Sequence, residues 1–108
     1  MFKKGTHSYR TDSRNNNIQV YINGKLHPRS EARISVFDSG FLLGDGVWEG
    51  IRLLNGKMVF LDEHLDRLYS GAEKLAIDIG KSRDVLTSLI QKTLDVNDME
   101  SGVHIRLI

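Results

Sequence analysis

The sequence lacks cysteine, contains a single proline, and has no apolar run approaching the roughly 20 residues that a helix needs to cross a bilayer. The absence of cysteine excludes disulfide bonds and metal sites with thiolate ligands. The four histidines fall on separate predicted elements, so no metal site is expected. The formal net charge is only +1, so neither nucleic acid nor a membrane is expected as a partner.

The N-terminal segment 1–17 differs in composition from the rest of the chain. It carries Lys3, Lys4, Arg10 and Arg14 and almost no apolar residues, so we predict a flexible basic extension there. No long apolar segment follows these charges, so a secretory signal is not predicted and the expected location is the cytoplasm. The ordered domain is expected over residues 18–108, in a chain whose 40% hydrophobic and 27% charged residues are typical of globular proteins.

A β-hairpin is predicted at the centre of the chain, where Asn55-Gly56 separates two apolar runs, residues 47–54 and 57–61. Asn-Gly is favoured in two-residue type I′ turns because both positions adopt positive φ. Alternation along the first run divides its side chains between two faces. One face carries Val47, Glu49, Ile51 and Leu53. The other face carries Trp48, Gly50, Arg52 and Leu54.

The second of these faces has two explanations. An aromatic ring, a gap at Gly50 and the guanidinium of Arg52 suit a flat, anionic ligand. A half-exposed hairpin, with Arg52 in water and Trp48 covering the edge of a core, has the same pattern. Spacing alone favours the second explanation.

Shorter strand signals precede the hairpin. Alternating apolar residues over 18–22, followed by Asn23-Gly24, predict a first hairpin whose return strand is limited by Pro28. A short strand is predicted over residues 34–37, followed by a break at residues 38–40. A last strand is predicted over residues 103–108.

Two amphipathic helices are predicted between the central hairpin and the last strand. The first has Asp62 as its N-cap and ends at Gly80, and the second begins after Ser82. The apolar stripe of the first is Leu61, Leu65, Leu68, Ala72, Leu75, Ala76 and Ile79. The stripe of the second is Val85, Leu86, Leu89, Ile90 and Leu94. Strands, two helices and a strand, with hairpin connections, predict an α+β fold in which helices pack on one face of an antiparallel sheet.

The last strand repeats the pattern of the central hairpin, because His104 and Arg106 share one of its faces. If this strand joins the same sheet, the two side chains line one wall together with Trp48 and Arg52. Guanidinium groups bind carboxylates and phosphates through two parallel hydrogen bonds, so such a wall suits an anion. Taken singly, each arginine is more simply explained as a solvated side chain.

Three linked segments carry a family resemblance. They read GFLLGDGVWEGIRLLNGK, VFLDEHLDRLYSGAEKL and GVHIRLI. From about residue 18 to residue 108, the chain resembles the N-terminal part of the class IV, or fold-type IV, pyridoxal-phosphate aminotransferases. That family includes branched-chain aminotransferases, D-amino-acid aminotransferases and 4-amino-4-deoxychorismate lyase.

The resemblance implies pyridoxal 5′-phosphate as cofactor and assigns roles to individual residues. Arg67, in EHLDRL, matches the arginine that binds the cofactor phosphate. Trp48 matches an aromatic position beside the substrate pocket, and Gly50 matches the small residue that leaves room for substrate. The substrate-binding positions implied by the resemblance are Leu43, Trp48, Gly50, Arg52, His104 and Arg106.

Some positions depart from the branched-chain pattern. Leu43 and His104 stand where branched-chain enzymes usually carry tyrosines, and GFLLGDGVWE is also close to the GYQFGDGVYE pattern of D-amino-acid enzymes. The identity and the handedness of the substrate are therefore left open.

No catalytic residue is predicted within the chain itself. The family's lysine, which attaches the cofactor covalently, belongs to a second domain and has no match in residues 1–108. The sequence also ends inside the apolar strand 103–108. We therefore expect a truncated chain that lacks the second domain and is inactive alone.

The function implied for the complete protein is transamination between an amino acid and a 2-oxo acid, by an enzyme that works as a homodimer. Two alternatives remain. One is an enzyme resembling aminodeoxychorismate lyase. The other is a truncated, non-catalytic domain that binds an anion.

Overall fold

The computed structural model describes residues 11–108, which divide after Ala32 into two compact units. Residues 1–10 of the predicted extension lie outside the described residues. Its remainder includes a short 3₁₀ helix, Ser13–Asn15, in which the Asp12 side chain accepts a hydrogen bond from the Arg14 backbone.

The first unit contains the predicted N-terminal hairpin. Strands β1 (Gln19–Ile22) and β2 (Lys25–Pro28) pair antiparallel from Ile22↔Lys25 to Gln19↔Pro28. Asn23 and Gly24 connect them with φ of 48° and 91°, as the Asn-Gly signal predicts. The paired residues end at Pro28, although the N–H of Arg29 still donates to the carbonyl of Ile18, and a 3₁₀ helix, Arg29–Glu31, follows.

The second unit, residues 33–108, is built on a three-stranded antiparallel sheet. Its strands are β3 (Glu49–Leu54), β4 (Lys57–Met58) and β5 (Val103–Leu107), in the order β4-β3-β5. Asn55 and Gly56, with φ of 50° and 78°, connect β3 to β4 and confirm the central hairpin. The last strand joins the same sheet, so β3 is its central strand.

Two helices supply the other layer, α2 (Leu61–Lys74) and α3 (Arg83–Val96). The buried side chains come from alternate positions of β3 and from one stripe of each helix. They are Ile51, Leu53, Leu65, Leu68, Ala72, Leu86, Ile90 and Leu94. The predicted α+β fold, with helices packed on one face of an antiparallel sheet, is therefore confirmed. In the described part of the chain, no helix is long and apolar enough to span a bilayer.

The predicted ends of the first long helix are wrong. Phe60, in the left-handed region at φ 55°, is its N-cap, and Asp62 lies inside the first turn, where its charge favours the helix dipole. The helix ends at Lys74 and not at Gly80, because Ala76 adopts a φ of 55° and reverses the chain. Ser82 does cap α3, since its Oγ accepts a hydrogen bond from the N–H of Val85.

The strand predicted over residues 34–37 is also wrong. The Ser35 Oγ accepts from the N–H of Phe37, and the Ser35 carbonyl accepts from the N–H of Asp38, which makes a turn. Asp38 then caps a short helix, α1 (Ser39–Leu43), which ends at Gly44 with φ 72°. These local hydrogen bonds take the place of strand pairing, and the apolar side chains of the segment are exposed.

Leu53 and Leu54 are neighbours on β3 that lie on opposite faces, with 1% and 43% of their surface exposed. We expect Leu53→Ala to lower the free energy of unfolding by about 2–5 kcal/mol, because it leaves a cavity in the core. Leu54→Ala removes the same atoms from an exposed site and should cost less than about 1 kcal/mol. Urea unfolding followed by circular dichroism measures both, and equal losses would contradict this division of faces.

Candidate functional site

The face of the sheet opposite the helices carries a wall of aromatic and cationic side chains. Arg52 on β3 pairs with His104 on β5, and Gly50 pairs with Arg106. The Cζ atom of Arg106 lies 5.6 Å from the centroid of the Trp48 ring. All four side chains of the predicted wall are exposed on one face.

The gap at Gly50 is occupied by a side chain of this chain. A Cβ atom on Gly50 would lie 2.7 Å from Cε1 and 2.9 Å from Nε2 of His104. The absence of a side chain at Gly50 therefore lets the imidazole ring of His104 lie against the backbone of β3.

The other two predicted site residues lie apart from this wall. Leu43 belongs to α1, outside the sheet, and its side chain is exposed. Arg67 lies on α2 and reaches β3 from the helix side, through the side chain of Glu49. The structure thus brings together five of the predicted residues on one face, whereas Arg67 lies on α2 and contacts Glu49, the first residue of β3.

Glu49 is buried, with 2% of its surface exposed, and both of its carboxylate oxygens are bound. The Nε of Arg67 donates to Oε1 at 2.5 Å, and the Nη2 donates to Oε2 at 2.6 Å. The Nδ1 of His64 lies 3.2 Å from Oε2. His64 and Arg67 are three residues apart, so they share one face of the helix. This pairing compensates the burial of a carboxylate, which is costly when no partner is present.

The charge state of this cluster follows from the same contacts. The hydrogen bonds from Arg67 lower the pKa of Glu49 to about 2, and the hydrogen bond from His64 contributes in the same direction. The carboxylate is therefore ionised at neutral pH and can only accept hydrogen bonds, so the Nδ1 of His64 is the donor. The contact with Glu49 raises the pKa of Arg67, which stays a cation.

Arg67 is the exposed partner of this pair. Its side chain is 74% exposed, although its partner Glu49 is buried. An arginine side chain has five N–H groups, and the remaining three have no acceptor among residues 33–108. An exposed, permanently charged group with paired donors suits a phosphate or a carboxylate. In residues 11–108, no three His, Asp or Glu side chains gather as candidate metal ligands.

Glu49 is the site residue that reasoning from the sequence missed. The sequence signal is a charged residue on the face of a strand whose other members, Val47, Ile51 and Leu53, are apolar. A carboxylate at such a position requires a cation, and the helix that follows offers Arg67.

Comparison with known proteins gives this arrangement a context. The family model described as amino-transferase class IV matches residues 46–108. A protein of Methanocaldococcus jannaschii, named provisionally as a branched-chain-amino-acid aminotransferase, is 43% identical over 91 residues, which are 84% of this chain and 31% of that protein. A D-alanine aminotransferase of Bacillus licheniformis is 40% identical over 85 residues, which are 79% of this chain and 30% of that enzyme.

A solved structure agrees with these relatives. The crystal structure of the branched-chain aminotransferase of the archaeon Thermoproteus uzoniensis, with norvaline, superposes with a TM-score of 0.74 at 28% identity. The match covers 83% of this chain and 32% of that one. A second branched-chain amino acid aminotransferase, complexed with N-(5'-phosphopyridoxyl)-L-glutamate, superposes with the same TM-score at 29% identity. The chain therefore spans about a third of the length of these proteins.

The lowered pKa of Glu49 predicts an acid-sensitive contribution to stability. The folded pKa of about 2 lies below the ordinary value of 4.5, so ionised Glu49 stabilises the fold above pH 4.5 and this contribution disappears as the pH falls towards 2. Between pH 7 and pH 2.5, we expect the free energy of unfolding to fall by about 1–2 kcal/mol more in the unmodified protein than in the Glu49→Gln variant. Solvent partly screens the exposed Arg67, which limits the size of this difference.

Urea unfolding at both pH values measures this difference. Glu100→Gln, which removes an exposed carboxylate from the loop before β5, is the control and should keep the pH dependence of the unmodified protein. An unchanged pH dependence in Glu49→Gln would rule out the pairing as its source.

Proposed function

The chain belongs to the class IV aminotransferase family, and we propose that it forms the N-terminal part of a transaminase that uses pyridoxal 5′-phosphate. The reaction moves an amino group between an amino acid and a 2-oxo acid. The observation that carries this proposal is the exposed guanidinium of Arg67, anchored on buried Glu49 within the residues that match the family.

The donors present fit the cofactor. Three N–H groups of Arg67 have no acceptor among residues 33–108, and the guanidinium carries a fixed positive charge. A phosphate ester requires both donors and positive charge. When bound, pyridoxal phosphate supplies the aldehyde carbon that takes up the amino group and a ring that withdraws electrons. In this proposal, Arg67 holds the phosphate end and leaves the reactive end to other groups.

The wall of Trp48, Gly50, Arg52, His104 and Arg106 is proposed to bind the substrate. Amino acids and 2-oxo acids both carry a carboxylate, and Arg52 and Arg106 are two exposed cations on neighbouring strands. Trp48 supplies an apolar surface next to Arg106, and His104 limits the space over Gly50. Leu43 is proposed to contact the substrate side chain. Branched-chain and D-amino acids are both candidate substrates, since relatives of both kinds share this region.

Catalysis is proposed to need a lysine from outside these 108 residues. Lys25, Lys57, Lys74, Lys81 and Lys92 match no catalytic position of the family. The 108-residue chain alone is then inactive. A homodimer and a cytoplasmic location complete the proposal, and the exposed apolar side chains of segment 34–43 give a dimer or a further domain a surface to cover.

The intact mass of the natively purified full-length protein after borohydride reduction tests this function. Reduction fixes an imine-linked cofactor to its lysine, so we expect a mass increased by one pyridoxyl phosphate group and a labelled lysine outside residues 1–108. A single unmodified species of 12.2 kDa would contradict the transaminase and favour the non-catalytic anion-binding domain. A labelled protein that releases product from aminodeoxychorismate, and transfers no amino group, would favour the lyase.

Arg67→Lys tests the residue assigned to the phosphate. Lysine keeps the charge beside Glu49 but loses the paired donors, so the dissociation constant for pyridoxal 5′-phosphate should rise by roughly 10- to 100-fold, as expected for the loss of charge-assisted hydrogen bonds. Affinity for pyridoxal, which lacks the phosphate, should stay within about twofold. Titration of the apoprotein measures both constants, and Lys74→Gln on the same helix is the control. Equal changes for the two ligands would remove Arg67 from the phosphate site.

A further inference from the structure

The ion pair between Glu49 and Arg67 is unusually asymmetric in exposure. Glu49 has 2% of its side chain exposed, and Arg67 has 74%. The exposure of Arg67 does not strengthen this pair, because solvent weakens the attraction of an exposed charge for its partner. Here the carboxylate lies within the protein and the cation faces outward.

The buried partner is held on rigid elements. Glu49 is the first residue of β3, the central strand, and pairs with Leu107 of β5. His64 binds the same carboxylate oxygen, Oε2, that accepts from the Nη2 of Arg67. Two donors on one helix face and the pairing of Glu49 with β5 therefore fix the position of the carboxylate.

The two hydrogen bonds also fix the plane of the guanidinium. They join its Nε and Nη2 to the two oxygens of one carboxylate, which sets both the distance and the rotation of the group. Without them, an exposed arginine side chain samples many rotamers, and a ligand must immobilise it on binding.

We propose that Glu49 is a positioning residue, which fixes the guanidinium of Arg67 in the orientation that binds the cofactor phosphate. This inference rests on the proposed function. Glu49 itself does not contact the phosphate, since its oxygens are turned towards Arg67 and His64 and its charge would repel an anion. Its effect is to present the remaining N–H groups of Arg67 already ordered.

Glu49→Gln in the full-length protein tests this role. Glutamine occupies a similar volume but offers one acceptor oxygen, so the paired contact with Arg67 is lost. We expect the dissociation constant for pyridoxal 5′-phosphate to rise roughly tenfold, the cost of ordering one flexible side chain on binding. The dissociation constant for pyridoxal should change by less than about twofold. Titration of the apoprotein with each compound gives both values without any measurement of activity.

Two controls separate positioning from a general effect on the fold. Glu63→Gln removes an exposed carboxylate from α2, the helix of Arg67, and should leave the affinities for pyridoxal 5′-phosphate and pyridoxal unchanged. In an Arg67→Lys background, Glu49→Gln should raise the dissociation constant for pyridoxal 5′-phosphate by less than about twofold. The reason is that an ammonium group is a point charge that needs no fixed plane.

Each outcome decides between the alternatives. Equal weakening for the two compounds, or full additivity with Arg67→Lys, would show a structural role and overturn the inference. Unchanged affinity for pyridoxal 5′-phosphate in Glu49→Gln would also overturn it. If Arg67→Lys itself leaves that affinity unchanged, the assignment of Arg67 to the phosphate fails, and this result is distinct from failure at Glu49.

A second variant covers the case in which Glu49→Gln does not fold. Glu49→Asp keeps the charge but withdraws the carboxylate by one methylene group, so both oxygens can no longer reach Arg67 together. If Glu49→Asp weakens binding of pyridoxal 5′-phosphate but not of pyridoxal, the positioning role is supported. If it weakens binding of both compounds equally, the inference is overturned. Thermal unfolding of each variant reports separately on the fold.

Discussion

The structure of residues 33–108 depends on the alternation of side chains along β3. Every second residue of this strand, Glu49, Ile51 and Leu53, faces the two helices and is buried. The residues between them belong to the open face, where Arg52 lies next to His104 of β5. A single central strand therefore contributes both to the core and to the wall of aromatic and cationic side chains. A shift of one residue in its register would exchange the buried and the exposed residues.

Glu49 is the exception in this division, because a charged residue occupies a core-facing position. Its burial is tolerated because Arg67 and His64 supply hydrogen bonds to both oxygens. The same contacts lower the pKa of Glu49 and keep the pair ionised. Stability and the presentation of a cation at the surface thus have one physical origin.

Much of this arrangement could be predicted from the sequence, for reasons that are local. Asn55-Gly56 specifies a hairpin through its tolerance of positive φ, and alternation identifies which residues of β3 and β5 share a face. The prediction of a strand over residues 34–37 was wrong, because Ser35 and Asp38 form hydrogen bonds with the backbone that apolar content does not reveal. The predicted ends of α2 were wrong because Phe60 and Ala76 adopt positive φ, which their residue types do not signal. Glu49 was missed because its partners lie on another element.

Pairing between β3 and β5 has a consequence for the order in which this surface forms. Residues 55–56 bring β3 and β4 together at a small cost in chain entropy, whereas the pairing of Arg52 with His104 must close a loop that contains both long helices. The half of the wall that holds Trp48 and Arg52 is specified by short-range contacts. The half that holds His104 and Arg106 depends on long-range contacts, which form slowly. The wall is therefore complete only when the chain has closed its longest loop.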